Sequence, residues 1–98
     1  MTQVIIAPEA DADISDAVNW YAERDLALPA RFIAELGQNP ERVSENPMQF
    51  PLVEETVRRA LLAKFPYSVY FTTEHTDTAM VLAVVHQKRH PSRWKRPR

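Results

Sequence analysis

The sequence predicts an α+β fold in which a hairpin of two helices packs on one face of a small, mainly antiparallel sheet. Apolar residues recur at helical spacing in the first half of the chain, and β-branched and aromatic runs separated by short polar connections fill the second half. Because each apolar helix stripe needs a sheet face to cover it, two helices on one side of the sheet are the economical arrangement. We expect the order strand, helix, helix, strand, strand, strand.

A first strand and a first helix open the chain. The β-branched run Gln3–Ala7 reads as a strand that Pro8 stops, and the helix that follows extends to Asp25, with proline and acidic residues in its first turn. Trp20 lies about 60° to the side of the apolar face, so we expect it to be partly exposed and interpret it as a core-flanking aromatic rather than an aromatic binding box. The residues of the apolar face are Ala10, Ile14, Ala17, Val18 and Tyr21.

A second helix begins near Pro29, with Phe32, Ile33 and Leu36 as its predicted buried stripe. Gly37 and Pro40 then interrupt the pattern, since a proline inside a helix removes a hydrogen bond and clashes with the carbonyl four residues earlier.

We therefore expect a kink or a restart of the second helix with Asn39 as the new cap. Val43 packs inward in this prediction, and the helix ends before Pro47. A loop over Met48–Pro51 returns the chain to the sheet.

Three strands are predicted in the second half of the chain. Residues 57–64 carry partial alternation but also good helix-forming composition, and the strongly β runs 67–73 and 79–86 beyond them favour the strand assignment. The polar residues 74–78 have the length of a hairpin connection. In the last strand, alternation places Met80, Leu82, Val84 and His86 on one face and Val81, Ala83 and Val85 on the other. Both faces are largely apolar, which predicts a central strand.

Length and composition predict a single domain over residues 1–98, because a chain of this size buries about 60–70% of its unfolded surface in one modest core. The absence of cysteine excludes disulfides and thiolate chemistry. A single glycine leaves no glycine-rich phosphate-binding loop, which argues against nucleotide-dependent phosphoryl transfer. No apolar run approaches the roughly 20 residues of a membrane span and the first residues lack signal-peptide features, so we expect a cytoplasmic protein.

The charges divide sharply along the chain. Residues 1–57 contain three Lys/Arg and eleven Asp/Glu, whereas residues 58–98 contain nine Lys/Arg and two Asp/Glu. Such asymmetry between halves indicates a charged partner that the net charge of −1 does not reveal. The basic tail with an interleaved tryptophan suits nucleic acid or an acidic protein surface, although a charged terminus can also be merely solvated.

Two segments, LLAKFPYSVYF at residues 61–71 and VLAVVHQKRHPSRW at residues 81–94, carry a family resemblance. With Trp20-Tyr21 and the E-N-P…F-P turn at residues 45–51, the chain resembles the RelE/ParE superfamily of toxins from bacterial type II toxin–antitoxin modules. The resemblance implies a toxin neutralised by a partner antitoxin that wraps its surface. RelE-like members cleave messenger RNA on the ribosome, and ParE-like members inhibit DNA gyrase.

RNA cleavage would need groups for proton transfer and cations that stabilise charge on the phosphate. If the chain is RelE-like, the candidate catalytic residues are His86, Arg89 and Arg59, with His90 and Tyr70 as other proton-transfer candidates. A histidine at the end of an apolar strand is more often a hydrogen-bonded structural residue, so that interpretation of His86 stays open. We predict no metal site, because no third ligand lies at useful spacing, and no cofactor.

Binding residues are predicted for two partners. Alternation requires that Arg58 or Arg59 lie at the rim of the buried sheet face. Candidates for contact with the antitoxin are Trp20, Tyr21 and Phe32. Candidates for contact with the target, which are the basic residues of the sheet and tail with one aromatic, are Arg58, Lys64, Lys88, Arg89, Arg93 and Trp94.

Three functions are compatible with the sequence. In order of preference they are a ParE-like inhibitor of DNA gyrase, a RelE-like ribosome-dependent endoribonuclease, and a non-toxic interaction module of a repressor complex. All three imply a cognate antitoxin, binding of operator DNA through the antitoxin complex, and no membrane partner. The antitoxin would dock a helix against the helical hairpin near Trp20 or add a strand at the sheet edge.

Overall fold

The order of helices and strands follows the sequence prediction, with one strand more than expected. The structure, a computed structural model, describes residues 3–75 and 77–88. Its elements are β1 Gln3–Ile6, α1 Pro8–Ala22, α2 Leu28–Glu45, a 3-10 helix Pro47–Gln49, β2 Leu52–Glu54, β3 Val57–Leu61, β4 Tyr67–His75 and β5 Thr78–His86. The sheet has the order β1-β5-β4-β3-β2, with β1 parallel to β5 and the other pairs antiparallel. The α+β prediction is confirmed.

Helix α1 buries the face that its apolar spacing predicts. Ala10, Ala17 and Tyr21 are buried, and Ile14 and Val18 pack against the same core. Trp20 keeps 49% of its surface exposed, as its position beside the apolar face predicts. No helix in the described part of the chain has the length and apolar character needed to cross a membrane.

Helix α2 runs without interruption through Gly37 and Pro40, so the predicted restart is wrong and Asn39 lies inside the helix. Proline removes a single backbone donor, and burial of the apolar stripe on both sides of it offsets that cost. Phe32 is fully buried, and Val43, eleven residues later on the same side of the helix, is 2% exposed.

The predicted inward position of Ile33 is wrong, since 47% of its surface is exposed. Successive residues of an α-helix are about 100° apart around the axis, so Ile33 lies well to the side of Phe32. Leu36, one turn beyond Phe32, packs against the core as predicted.

The additional strand β2 pairs antiparallel with β3 and forms an edge of the sheet. Glu55 makes the turn between them with a φ of 43°. All three residues of β2 are exposed. A strand of three residues without buried positions leaves no alternation pattern to detect in the sequence. The strand assignment of the ambiguous segment that begins at Val57 is confirmed.

Strand β5 contains a β-bulge that reverses its alternation. Tyr70 lies opposite Ala83 and Phe71 lies opposite Val81, so Leu82 has no partner on β4. An extra residue in one strand of a pair shifts the following side chains to the other face. The prediction that residues 80, 82, 84 and 86 share a face is therefore wrong beyond the bulge. The prediction that this strand is interior is confirmed, since β5 lies between β1 and β4.

Both faces of the sheet carry buried residues. On the helix side, four rings form an aromatic cluster in which Phe32 lies 5.3 Å from Phe65 and 5.2 Å from Tyr67, and Tyr21 lies 5.5 Å from Phe32, between ring centroids. This cluster fastens both helices to the start of β4. The buried residues of the opposite face, called here the second face, are Val57, Tyr70, Leu82, Ala83 and Val85.

Candidate functional site

Several predicted site residues gather at one end of the sheet, where β3 stops, β4 begins and β5 ends. Tyr67 lies opposite His86 in the ladder, and the Gln87 N–H donates to the Pro66 carbonyl at 2.7 Å. Lys64 precedes β4 and Lys88 follows β5, and both are exposed. We call this region the Tyr67–His86 end. It brings together Tyr67, His86 and two lysines.

The His86 side chain contacts the ring of Tyr67 and the backbone of Lys88. The two ring centroids are 5.2 Å apart in an edge-to-face arrangement, and the Lys88 N–H donates to His86 Nδ1 at 3.1 Å. Because Nδ1 accepts a hydrogen bond, this geometry fits a neutral imidazole that carries its proton on Nε2. The ring also lines a small, open surface cleft with Trp20 and the acidic residues Asp13 and Asp16 of α1.

Asp13 fixes α1 over the end of β5. Strand β1 pairs with β5 as far as Val81, where the Ala7 N–H donates to the Val81 carbonyl at 2.9 Å. Beyond that point no strand of the described residues pairs with β5 on this side, and Asp13 Oδ2 accepts the Val84 N–H at 2.9 Å. The aspartate thus continues the ladder and places the first helix beside His86.

Glu35 holds the connection between β3 and β4 against α2. Its carboxylate accepts backbone N–H groups from Ala63 and from Lys64, the latter at 3.0 and 3.1 Å. The connection and α2 together line an open surface cleft, whose lining includes Phe65 and Arg31. Glu35 therefore positions the backbone that carries Lys64.

The two arginines of β3 occupy opposite faces of the sheet. Arg58 is 8% exposed on the helix side, and its Nη1 donates to the Phe50 carbonyl at 2.6 Å, so it is the arginine predicted at the rim of the buried face. Arg59 lies across from Tyr70 on the second face and is partly exposed. Arg58 is therefore mainly a buried structural cation in the free chain.

The structure does not bring the described candidates for RNA cleavage together. His86, like Val84, lies on the helix side of the sheet, whereas Arg59 and Tyr70 lie on the second face. The remaining candidates lie outside the described residues. They are Arg89, His90, Arg93 and Trp94.

Of the three residues predicted to bind an antitoxin, Trp20 is the one that is exposed at the surface. The Arg24 guanidinium carbon lies 3.4 Å from the Trp20 ring centroid. Tyr21 and Phe32 are buried in the aromatic cluster, with 7% and 0% of their surface exposed. Burial, with a smaller contribution from nearby Tyr67, raises the pKa of Tyr21 above its usual value of 10.0.

Sequence reasoning missed Asp13 and Glu35, which position the site by accepting backbone N–H groups from distant strands. Both have the sequence signature of ordinary solvated helix acids, and no local pattern identifies a partner 71 or 28 residues away. Among the described residues, no three acidic or histidine side chains form a group that could hold a metal ion.

The family model for the ParE toxin of the type II toxin–antitoxin system parDE matches residues 4–91. One similar solved structure, from P. aeruginosa, is described as a chromosomal ParDE TA system. It has a TM-score of 0.76 and 16% sequence identity, and the match covers 88% of this chain and 96% of that chain. At this identity the likeness supports the fold alone. A search of curated proteins gave no match.

Proposed function

Because the chain belongs to the ParE toxin family of type II toxin–antitoxin systems, we propose that it arrests growth by inhibiting DNA gyrase in the cytoplasm and that a cognate antitoxin neutralises it. The observation that carries the proposal is the family match over residues 4–91, which spans both helices and, apart from Gln3, every strand of the described sheet. Operator DNA is bound through the complex with the antitoxin. His86 and Arg59, two of the three predicted catalytic residues, lie on opposite faces of the sheet, which argues against a cleavage site built from this pair.

The Tyr67–His86 end is the proposed gyrase-binding surface. Lys64 and Lys88 are exposed there, and an exposed cationic surface accelerates association with an acidic partner and contributes to its specificity. The basic residues of the tail, including Arg89 and Arg93, follow directly along the chain and extend this charge in sequence.

The test is inhibition of gyrase supercoiling by the purified, antitoxin-free chain. We expect inhibition, and we expect the double variant Lys64→Glu/Lys88→Glu to need about tenfold more protein for the same effect, equivalent to about 1.4 kcal/mol. Arg42→Glu is the matched control, because it reverses an exposed charge on α2. A folded wild-type chain that leaves supercoiling unchanged at saturation contradicts the proposal.

A second candidate function is ribosome-dependent RNA cleavage of the RelE type, favoured by the contact between Tyr67 and His86 beside two lysines. It predicts cuts at codon positions in translated messages that His86→Gln reduces by about a hundredfold or more, the typical contribution of a general acid or base. Intact transcripts in a translating extract exclude it. Harmless expression without an antitoxin would instead favour an interaction module without toxicity.

The antitoxin is expected to dock a helix against the hairpin at Trp20, whose exposed ring offers apolar area. Trp20→Ala should weaken the complex by more than about tenfold if the tryptophan is a central anchor. Leu26→Ala is the matched control, since Leu26 is 86% exposed in the connection between the helices. Equal affinities of the two variants would place the docking surface elsewhere.

A further inference from the structure

Arg58 is a buried cation that no carboxylate of the described residues neutralises. The residue is 8% exposed, and its guanidinium makes one short hydrogen bond, from Nη1 to the Phe50 carbonyl at 2.6 Å. The ion pair among the described residues joins Arg24 to Glu23 and does not involve Arg58. Burial of an unpaired charge is costly, so a buried guanidinium without a counter-charge favours binding of an anion.

The opposite edge of the guanidinium is incompletely bonded. Arg58 Nε is buried and has no hydrogen-bond partner among the described residues, and Nη2 contacts Met48 Sδ at 3.2 Å, a weak acceptor. The Nε–H and one Nη2–H point in parallel from the same edge of the planar group. This is the fork that a carboxylate accepts with both oxygens in a bidentate pair.

The Met48 side chain contacts this fork at Nη2 and is the group that a ligand there would displace. The side chain belongs to the 3-10 helix between α2 and β2 and is 66% exposed, so little packing resists its movement. A methionine is unbranched and changes rotamer at small cost. Leu52 and Val53 of the neighbouring edge strand are exposed as well, at 54% and 38%. An acidic side chain flanked by apolar residues fits this surface.

We propose that Arg58 is the anchoring site for an aspartate or glutamate side chain of the antitoxin, which displaces Met48 and accepts hydrogen bonds from Nε and Nη2. This inference rests on the proposed function, because it assigns the ligand to the antitoxin. The fork geometry accepts a carboxylate or a phosphate oxygen pair, and the carboxylate is chosen because the proposed partner is a protein, whose anionic side chains are aspartate and glutamate. Buried, hydrogen-bonded charge pairs mainly slow dissociation, which suits a partner that must keep a toxin neutralised.

The first experiment tests the site with sodium acetate as the probe. In protein carrying nitrogen-15 arginine, the Arg58 Nε–H resonance should move downfield and saturate as acetate replaces chloride at constant ionic strength. The matched control is the Nε–H of exposed Arg42, which should move little. Absence of the Arg58 resonance from Arg58→Lys provides its assignment.

Removal of the Met48 side chain provides a second form of this test. Met48→Ala leaves the guanidinium in place and should strengthen acetate binding about threefold, because acetate no longer displaces the weak sulfur contact. If the Arg58 resonance ignores acetate in both the wild type and Met48→Ala, or moves only as the Arg42 resonance does, then water alone fills the fork and the proposed site is wrong.

The second experiment tests the source of the carboxylate with the full antitoxin complex. We expect the Arg58 Nε–H to move downfield in the complex, as it does in acetate, and Arg58→Lys to accelerate dissociation about tenfold or more. A complex in which the resonance stays at its free position overturns the assignment to the antitoxin. Failure of any complex to form contradicts the proposed function, while the acetate experiment still decides whether the carboxylate site exists.

Discussion

Glu35 is expected to contribute measurably to stability because its carboxylate accepts two backbone N–H groups in the connection between β3 and β4. Replacement by alanine leaves the amides of Ala63 and Lys64 without this acceptor. Hydrogen bonds to a charged group contribute about 1.5–3 kcal/mol when buried, and exposure of this connection lets water replace part of them. We expect Glu35→Ala to lower the free energy of unfolding by about 1–2 kcal/mol.

Urea unfolding followed by tryptophan fluorescence measures this change, and the melting temperature should fall by about 4–8 °C for each kcal/mol in a chain of this size. Glu35→Gln keeps the shape but removes the charge, so it should lie between the wild type and the alanine variant. Glu23→Ala is the control, because its exposed pair with Arg24 should contribute less than about 0.5 kcal/mol. If both Glu35 variants unfold like the wild type, the carboxylate does not hold the connection and this reasoning is refuted.

Three further predictions concern the helices and the aromatic cluster. Gly37→Ala should raise the free energy of unfolding by about 0.5–1 kcal/mol in urea unfolding, since Gly37 lies inside α2 and an added Cβ meets no atom within 4 Å. Phe32→Ala should lower it by about 3–5 kcal/mol, and a loss below 1 kcal/mol would contradict the burial of this ring. Burial raises the pKa of Tyr21, so the unfolded chain releases this proton more readily. The contribution of Tyr21 to stability is therefore fully present below the unfolded pKa of about 10 and is lost as pH rises through the folded pKa. Thermal melts between neutral and alkaline pH should show a shallower fall for Tyr21→Phe, and equal slopes would assign the effect to other groups.

The sequence was sufficient to predict those parts of the fold that depend on repeated local patterns. The buried face of α1 and the interior position of β5 follow from apolar spacing that extends over several turns or pairs. The course of α2 was mispredicted because Pro40 is a local signal, whereas continuation of the helix depends on packing of Phe32 and Val43 against a sheet formed later in the chain. The free energy gained by burying these side chains exceeded the local tendency of proline to end a helix.

The candidate site was predictable in its residue types but not in its arrangement. The motifs identified His86 and the two arginines of β3, but the bulge at Leu82 decides which face His86 occupies. A bulge depends on pairing with β4 and leaves no mark in the composition of β5. Contacts of Asp13 and Glu35 with backbone groups far along the chain were equally inaccessible, since they exist only after the helices have docked.

The bulge at Leu82 also has an evolutionary consequence. If this residue were deleted, the pairs formed by Tyr70 with Ala83 and by Phe71 with Val81 would become consecutive rungs of a regular ladder. Every other residue of β5 would keep its face, and His86 would stay on the helix side. Loss of one codon at this position would therefore leave the histidine on its face, whereas gain of another would reverse the alternation again. We expect a relative whose β5 is one residue shorter to lack the counterpart of Leu82.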